Sequence, residues 1–328
     1  MRPSPRSDER KRRNTHRPLT MQFQHVIESQ QFTVPGIMEL FATAGEMERI
    51  VARGGTKDYE QKIMAALFYK PSTRTRFSFE AAMHRLGGRV LSTESAREFS
   101  SEILGEQLED TIRIIGASCD VIVLRHHEQG GARRAAAVSP VPVINAGDGE
   151  GGQHPTQALL DLYTIYRECK TLDGLSVVFL GALDKGRTVR SLAYLLSKFQ
   201  RTELFFVAPE ELQIGDDILR YLEEQNVRFQ LTSDVRLIAK NADVLYQTRI
   251  EKERLQQKSI DSSRFNIDMN VLGMLKPGAI IMHPLPRSVE ISPEVDVDSR
   301  AAYFRQAKNG LYVRMALLKM LFDQKDWQ

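Results

Sequence analysis

The sequence is poor in cysteine. Only Cys119 and Cys169 occur in 328 residues, in unrelated contexts and without paired spacing. That excludes a disulfide framework and a cysteine-based metal site, and it favours a reducing, cytoplasmic setting. Long apolar runs are also missing. None approaches the roughly 18 residues that a membrane-spanning helix needs, and no apolar h-region marks a secretory signal. The Gly-x4-Gly-Lys pattern of a P-loop is absent. No internal repeat stands out. One further absence is local. The stretch "GRVLSTESAREFSSEILGEQLEDT", Gly88 to Thr111, is Ser-rich and bounded by glycines, like a loop that closes over phosphate, yet nothing between Arg97 and Arg113 is cationic.

Hydrophobic residues make up 42% of the chain, enough to bury a sizeable core, and the length suits two domains. The formal charge of +3 is unevenly placed. Residues 1–19 hold seven Lys/Arg against Asp8 and Glu9, a net +5, which leaves the other 309 residues at −2. The basicity therefore belongs to a polar, Pro-bearing, aperiodic segment that reads as disordered. A nucleic-acid contact or an organellar targeting peptide is the lesser reading of residues 1–20. Asp8 and Glu9 weaken the second, and Met21 is a candidate translation start.

From about residue 60 apolar strand runs alternate with amphipathic helical runs. "MAALFYK" reads as a strand, "STRTRFSFEAAMHRLGG" as a helix, "CDVIVLRH" and "VPVINAGD" as strands, and "HPTQALLDLYTIYREC" as a longer helix. "LSVVFLGAL" opens a second β/α series that includes "VRLIAKNA" as a helix, and "AAYFRQAKNGLYVRMALLKMLFD" predicts a long C-terminal helix. The pattern predicts an α/β protein of two doubly wound domains with mainly parallel sheets and a helical hinge near residues 155–168. Ligands of such folds sit at the carboxyl ends of the strands and in the cleft between domains.

The chemistry-bearing residues lie at predicted strand ends. Ser72, Thr73, Arg74 and Thr75 open a helix after "FYKP". Hydroxyls, a guanidinium and helix-start N–H groups together make a phosphate cradle. The alternative is that Ser72 only caps the helix while Arg74 and Arg76 are surface charges. Arg125 follows a buried strand. His154 and Gln157 share one face at i and i+3 of a helix start. Leu285 and Pro286 follow the strand in "MHPLPR".

"STRTR", "HPTQALLDLYTI", "GRTVRSLAYLL", "YQTR" and "HPLPR" occur in the order seen in aspartate carbamoyltransferases, and from about Met64 to Leu321 the chain resembles their catalytic subunit. The resemblance implies carbamoyl transfer to aspartate in pyrimidine biosynthesis, without metal or organic cofactor, in trimers whose sites lie at subunit boundaries. It implies that Ser72, Thr73, Arg74 and Thr75 hold the phosphate of carbamoyl phosphate. Arg125, His154 and Gln157 then hold its carbamoyl group, together with Thr75 and the carbonyls of Leu285 and Pro286. Arg74, Thr75, Arg125 and His154 are the catalytic set, and Arg187 and Arg249 clamp the carboxylates of L-aspartate. The implied layout is a carbamoyl-phosphate domain over 21–154, an aspartate domain over 155–300, and a C-terminal helix over 301–328 that packs back on the first domain.

Several positions depart from the family pattern. Its opening loop reads Ser-x-x-x-Lys-Gly-Glu and reaches a neighbouring subunit's site. Here Ser100 stays but Leu104 replaces the Lys, and losing a charge-assisted contact costs about 1.5–3 kcal/mol. Glu251 stands where the family has Gln, Ala182 where it usually has Asp, and Lys70 where it usually has Glu. Lys70 would then face Arg187 and Arg254, pair with Glu251, or stand in for the missing Lys. These departures imply reduced or lost activity. The alternatives are a regulatory or scaffolding paralogue, including a mixed trimer in which an active paralogue supplies the Lys, and a carbamoyltransferase with a different amine. No membrane or nucleic-acid partner is expected.

Overall fold

The protein is described by a computed structural model covering residues 23–94, 105–249 and 262–324. Its first helix, α1 (Val34–Ala52), was not expected from the sequence, which carries Pro35, Gly36 and Gly45 there. Thr33 caps it by accepting from the Gly36 N–H at 3.3 Å, and proline is tolerated in a first turn, where its missing N–H has no helical partner.

The β/α alternation then runs as read. β1 (Ile63–Phe68), α2 (Thr73–Arg85), β2 (Arg89–Glu94), α3 (Leu108–Gly116), β3 (Val121–Arg125), α4 (Gly131–Val138) and β4 (Val143–Asn145) build one parallel sheet of order β2-β1-β3-β4. α5 (Pro155–Cys169) leads to a second parallel sheet of order β7-β6-β5-β8-β9. Its strands are β5 (Ser176–Leu180), β6 (Glu203–Val207), β7 (Arg228–Thr232), β8 (Val244–Gln247) and β9 (Ile280–Met282). The intervening helices are α6 (Arg187–Leu196), α7 (Asp216–Glu224) and α8 (Met269–Met274), and α9 (Tyr303–Phe322) ends the described chain. "VRLIAKNA" is a correction: it forms two 3-10 turns, Val235–Leu237 and Ala239–Asn241, rather than an α-helix. Asp234 accepts from the Arg236 N–H, a local bond that competes with helix propagation.

Strand alternation explains the helices on both faces. On β1, Met64, Ala66 and Phe68 join one core cluster while Ala65 and Leu67 join another. On β5, Val177 and Phe179 enter the first cluster and Val178 and Leu180 a third. Both faces are thus apolar, as parallel strands covered by helices require. The first cluster is continuous from α1 through α5 to the second sheet, and α9 packs on α1, α2 and α5. The edge strands β2 and β7 are short, largely exposed and charged, which discourages edge pairing. No described helix is long and apolar enough to cross a membrane.

α9 is part of the core and not an appendage. Leu317→Ala, at a fully buried position on α9, should lower unfolding free energy by about 2–5 kcal/mol in urea titration. A loss below about 1 kcal/mol would show that α9 docks without supporting the fold.

Candidate functional site

Each sheet reverses its strand order once, between β1 and β3 in the first and between β5 and β8 in the second. The loops leaving the carboxyl ends at those points are where such sheets open a crevice. They bring the separate sequence stretches together. A cavity of about 380 Å³ is lined by Ser72, Arg74 and Thr75 from the start of α2, Arg125 from β3, and His154 and Gln157 from the start of α5. Arg187 and Thr188 from the start of α6, and Leu285 and Pro286 after β9, complete the wall. Three helix N-termini thus open on one space, and each offers unsatisfied N–H groups and a positive dipole end.

Ser72 occupies the N-cap position of α2, yet its hydroxyl makes no capping hydrogen bond and stays available to the cavity. Arg76 behaves as a surface charge, pairing with Glu80 at 3.3 Å and Glu94 at 2.9 Å. Thr73 is exposed at the first turn of α2 and does not line the cavity. Arg125 is buried and donates to the Ala146 carbonyl at 3.3 Å, while its Nε has no partner. Burial, with Arg187 and Arg74 adding positive charge, pulls its guanidinium down to about 9, so it stays cationic at neutral pH. Burial likewise lowers Arg74 and Arg187. Arg187 donates to the Asp148 carbonyl across the two sheets' loops.

His154 is the electrostatic opposite. Burial, then Arg187, Arg125 and Arg314, hold its imidazole well below the ordinary histidine range, so it is neutral. The Thr156 hydroxyl lies 3.3 Å from its Nδ1. With that hydroxyl donating, the proton sits on Nε2, and a neutral ring donates one hydrogen bond into the cavity. The His154 backbone N–H donates to Ser191 Oγ at 2.9 Å, tying α5 to α6.

Gly147 makes the convergence possible. Its φ is +120°, a region L side chains rarely adopt, and a Cβ there would lie 3.0 Å from Arg125 Nη1, 3.2 Å from His154 Cδ2 and 3.5 Å from Arg187 Cζ.

Sequence reasoning missed part of the wall. Arg314, from the middle of α9, is buried, donates to Ser78 Oγ at 2.7 Å and lies over the Phe79 ring at 5.1 Å. Burial lowers it to about 10, opposed by Asp161. The available signal was an arginine set into the apolar run "LYVRMALL". Gln306 and His283 were missed as well. The His283 ring holds the "HPLP" turn, accepting from the Leu285 N–H at 2.8 Å and bonding Glu290 at 3.0 Å. Leu285 itself sits at φ +52°, a left-handed conformation that a non-glycine residue adopts only when its surroundings impose it. Among the described residues no carboxylate lines this cavity.

A second cavity of about 290 Å³ shares Arg187 and Thr188 and adds Lys70, Gly149, Glu150, Ala182, Lys185, Gly186 and Arg249. Lys185 pairs with Glu150 at 2.8 Å. Lys70 and Arg249 are exposed. Lys70 therefore shares a cavity with Arg187 and does not line the one around Arg74 and Arg125. Ser100, Leu104, Glu251 and Arg254 lie outside the described residues. Among the described residues no group of three His, Cys, Asp or Glu side chains is placed to hold a metal ion.

Comparison with known proteins gives two family matches. Residues 24–167 match the aspartate/ornithine carbamoyltransferase carbamoyl-P binding domain, and residues 173–321 match the Asp/Orn binding domain of the same family. The chain is 55% identical over 307 residues to the chloroplastic aspartate carbamoyltransferase of Oryza sativa subsp. japonica, covering 90% of this chain and 84% of that protein. Among solved structures, the catalytic subunit of M. jannaschii aspartate transcarbamoylase superposes with a TM-score of 0.86 at 44% identity, covering 93% of this chain and 99% of that one. The Trypanosoma cruzi aspartate transcarbamoylase in complex with carbamoyl phosphate and aspartate gives 0.86 at 38% identity, covering 91% and 95%.

A cavity with this charge should bind inorganic phosphate, and phosphate should raise the melting temperature of the protein. Gly147→Ala should weaken that binding on the order of tenfold or more, because the new methyl must push Arg125 or His154 aside. An unchanged phosphate-induced shift would show that the convergence around Gly147 does not form the anion site.

Proposed function

The chain belongs to the aspartate/ornithine carbamoyltransferase family, and we propose that it binds carbamoyl phosphate while transferring the carbamoyl group to L-aspartate slowly or not at all. The carrying observation is the first cavity, where arginines, hydroxyls, helix starts and a neutral imidazole converge with no carboxylate among the described residues of its wall. Carbamoyl phosphate is an anion with a polar head, and such a cavity is complementary to both ends. The T. cruzi relative that matches over most of its length is a complex with carbamoyl phosphate and aspartate.

In this reading Ser72, Arg74 and Thr75 hold the phosphate through hydroxyls, guanidinium and helix-start N–H groups, and Thr73, off the cavity wall, stays outside the contact set. Arg125, the Nε2–H of His154 and the Thr75 hydroxyl face the carbamoyl oxygen. Gln157 and the carbonyls of Leu285 and Pro286 face its amine. The catalytic set is Arg74, Thr75, Arg125 and His154. The neutral aspartate amine attacks the carbamoyl carbon, the carbonyl electrons shift onto oxygen, and collapse breaks the carbon–oxygen bond to phosphate, which leaves with the proton lost by the amine. Donors already placed around that oxygen stabilise the developing charge without reorganisation. The chemistry asks for no metal and no organic cofactor. The carbamoyl-phosphate domain is assigned to 21–154 and the aspartate domain to 155–300, with α5 as the hinge between them and residues 301–328 closing on the first domain.

The second cavity is the weak half. Arg187 and Arg249 are the candidate clamps for the aspartate carboxylates, since guanidinium pairs with carboxylate through two parallel bonds. Among the described residues Lys70 adds a third cation beside Arg187 and Arg249, Ala182 supplies no charge, and Lys185 is already paired with Glu150. Such an excess favours a second reading, an amine substrate more anionic than aspartate. Leu104 leaves the neighbouring-subunit loop without its cation, with Ser100 retained. A homotrimer or larger assembly, or a mixed trimer with an active paralogue that supplies a Lys, is the assembly this loop calls for. The cytoplasmic reading is kept, with residues 1–19 as the segment to test for targeting, given that the rice relative is chloroplastic.

Calorimetry should show carbamoyl phosphate binding, and colorimetric assay should show little carbamoyl-aspartate. Reverting Leu104→Lys and Glu251→Gln together should raise turnover on the order of tenfold or more, the return of at least one charge-assisted contact. Turnover by the unaltered protein at the level of an ordinary family member would sink the proposal of lost activity. No binding of carbamoyl phosphate would sink the site assignment itself.

A further inference from the structure

One buried carboxylate outside the cavity determines which way the cavity's amide faces. Asp161 lies on α5, one turn beyond Gln157, and is fully buried. Its Oδ1 accepts from Gln157 Nε2 at 2.8 Å and from Gln306 Nε2 at 2.6 Å, and its Oδ2 accepts from the Tyr246 hydroxyl at 2.7 Å. The polarity of this network can be followed from one group that has no choice. The backbone N–H of His283 can only donate, and it donates to Gln306 Oε1 at 2.9 Å. The NH₂ of Gln306 must therefore point at Asp161. The Tyr246 hydroxyl donates its proton to the carboxylate, whose oxygens only accept. An ionised carboxylate only accepts, so Gln157 must turn its NH₂ inward as well. That leaves the Gln157 carbonyl oxygen for the cavity it lines.

We propose that Asp161 is a positioning residue that holds the Gln157 carboxamide with its oxygen toward the cavity, so that the site selects a ligand whose head carries N–H donors. The inference rests on the carbamoyl-phosphate reading and adds the origin of its selectivity. A second consequence follows through Gln306. The same carboxylate fixes the amide that grips His283, at the start of the turn that carries the Leu285 and Pro286 carbonyls. Two kinds of acceptor, one side chain and one stretch of backbone, are thus oriented by a single charge. A hydrophobic residue at 161 would leave three buried donors unmatched. An asparagine would offer one acceptor oxygen to three donors and add a donor of its own, which lets Gln157 reverse.

Acetyl phosphate tests the point, because it keeps the phosphate and the carbonyl of carbamoyl phosphate and replaces the NH₂ by a methyl. Calorimetry on the full chain with carbamoyl phosphate, acetyl phosphate and inorganic phosphate should give a preference for carbamoyl over acetyl phosphate of about tenfold. In Asp161→Asn that ratio should collapse to within about twofold while phosphate affinity stays within about twofold, since the phosphate end does not touch Gln157. Gln157→Leu should lose the same ratio and keep phosphate binding, and this variant decides the matter if Asp161→Asn does not fold. A preserved ratio in either variant overturns the proposal, and so does loss of all three ligands together in a folded Asp161→Asn, which would mark a purely structural role. If the unaltered protein binds none of the three, the carbamoyl-phosphate reading fails first. If it binds them without preference, only the orienting role fails.

Discussion

Like charges held close together in a partly buried cavity are the condition around which this molecule is arranged. Arg74, Arg125, Arg187 and Arg314 all border one space of about 380 Å³, and burial lowers every one of these guanidiniums without neutralising any. Guanidinium cannot escape the penalty by losing its proton at neutral pH, as a buried lysine would. Dipoles bonded directly to the guanidiniums offset part of it, the Ala146 and Asp148 carbonyls and the Ser78 hydroxyl, while Asp148, Glu150 and Asp161 act at longer range. Placing carboxylates in the wall would stabilise the empty cavity and cancel its attraction for an anion. His154 shows the same field acting on a group that can respond, since its imidazole stays neutral among the arginines.

One buried carboxylate, Asp161, is withdrawn behind the wall, where it serves geometry. Asp161 joins α5, β8 and α9 through three hydrogen bonds, and burial pushes its carboxyl up to about 6. A carboxylate that is costly to bury and accepts from three donors is informative about orientation, because any donor turned the wrong way leaves the charge uncompensated. The same residues tie α5 and α9 to β8 of the second sheet. His154 N–H to Ser191 and Arg187 to the Asp148 carbonyl add to that seam.

Much of this was legible in the sequence because it is local. Apolar runs bounded by Gly and Pro located the strands, and the hydroxyl and arginine residues picked out at helix starts include Ser72, Arg74 and Thr75 of the first cavity's wall. The i, i+3 spacing of His154 and Gln157 places both on one turn of α5, which needs no tertiary information. What escaped was non-local or broke a local rule. Gln306 meets Asp161 across 145 residues, and Tyr246 meets it across 85. Arg314 looks like any arginine on a helix until α9 docks on α2 and turns it inward. α1 hid behind Pro35 and Gly36, whose usual meaning as breakers is reversed when they occupy a first turn. "VRLIAKNA" erred the other way, because its apolar spacing suits a helix while Asp234 captures the Arg236 N–H and favours a tighter turn.

Of the departures that the family resemblance implies, Lys70 falls among the described residues at a place where the fold is indifferent to it. Thr75, Arg125 and His154 are buried and their backbone groups are part of strand ends, helix starts and cross-sheet bonds, so changing them disturbs packing as well as binding. Lys70 and Arg249 are exposed, and the second cavity they border is made of loop residues. Exposed substitutions away from caps and cores typically shift stability by no more than about 0.5 kcal/mol. A change such as glutamate to lysine at position 70 can therefore invert the charge seen by a second substrate while leaving the folding free energy nearly untouched. Ala182 is the informative intermediate. It is nearly buried, and a small apolar side chain there avoids the desolvation cost of an ionised aspartate. Thr75, Arg125 and His154 are thus tied to the integrity of the fold, and Lys70 and Arg249 are not.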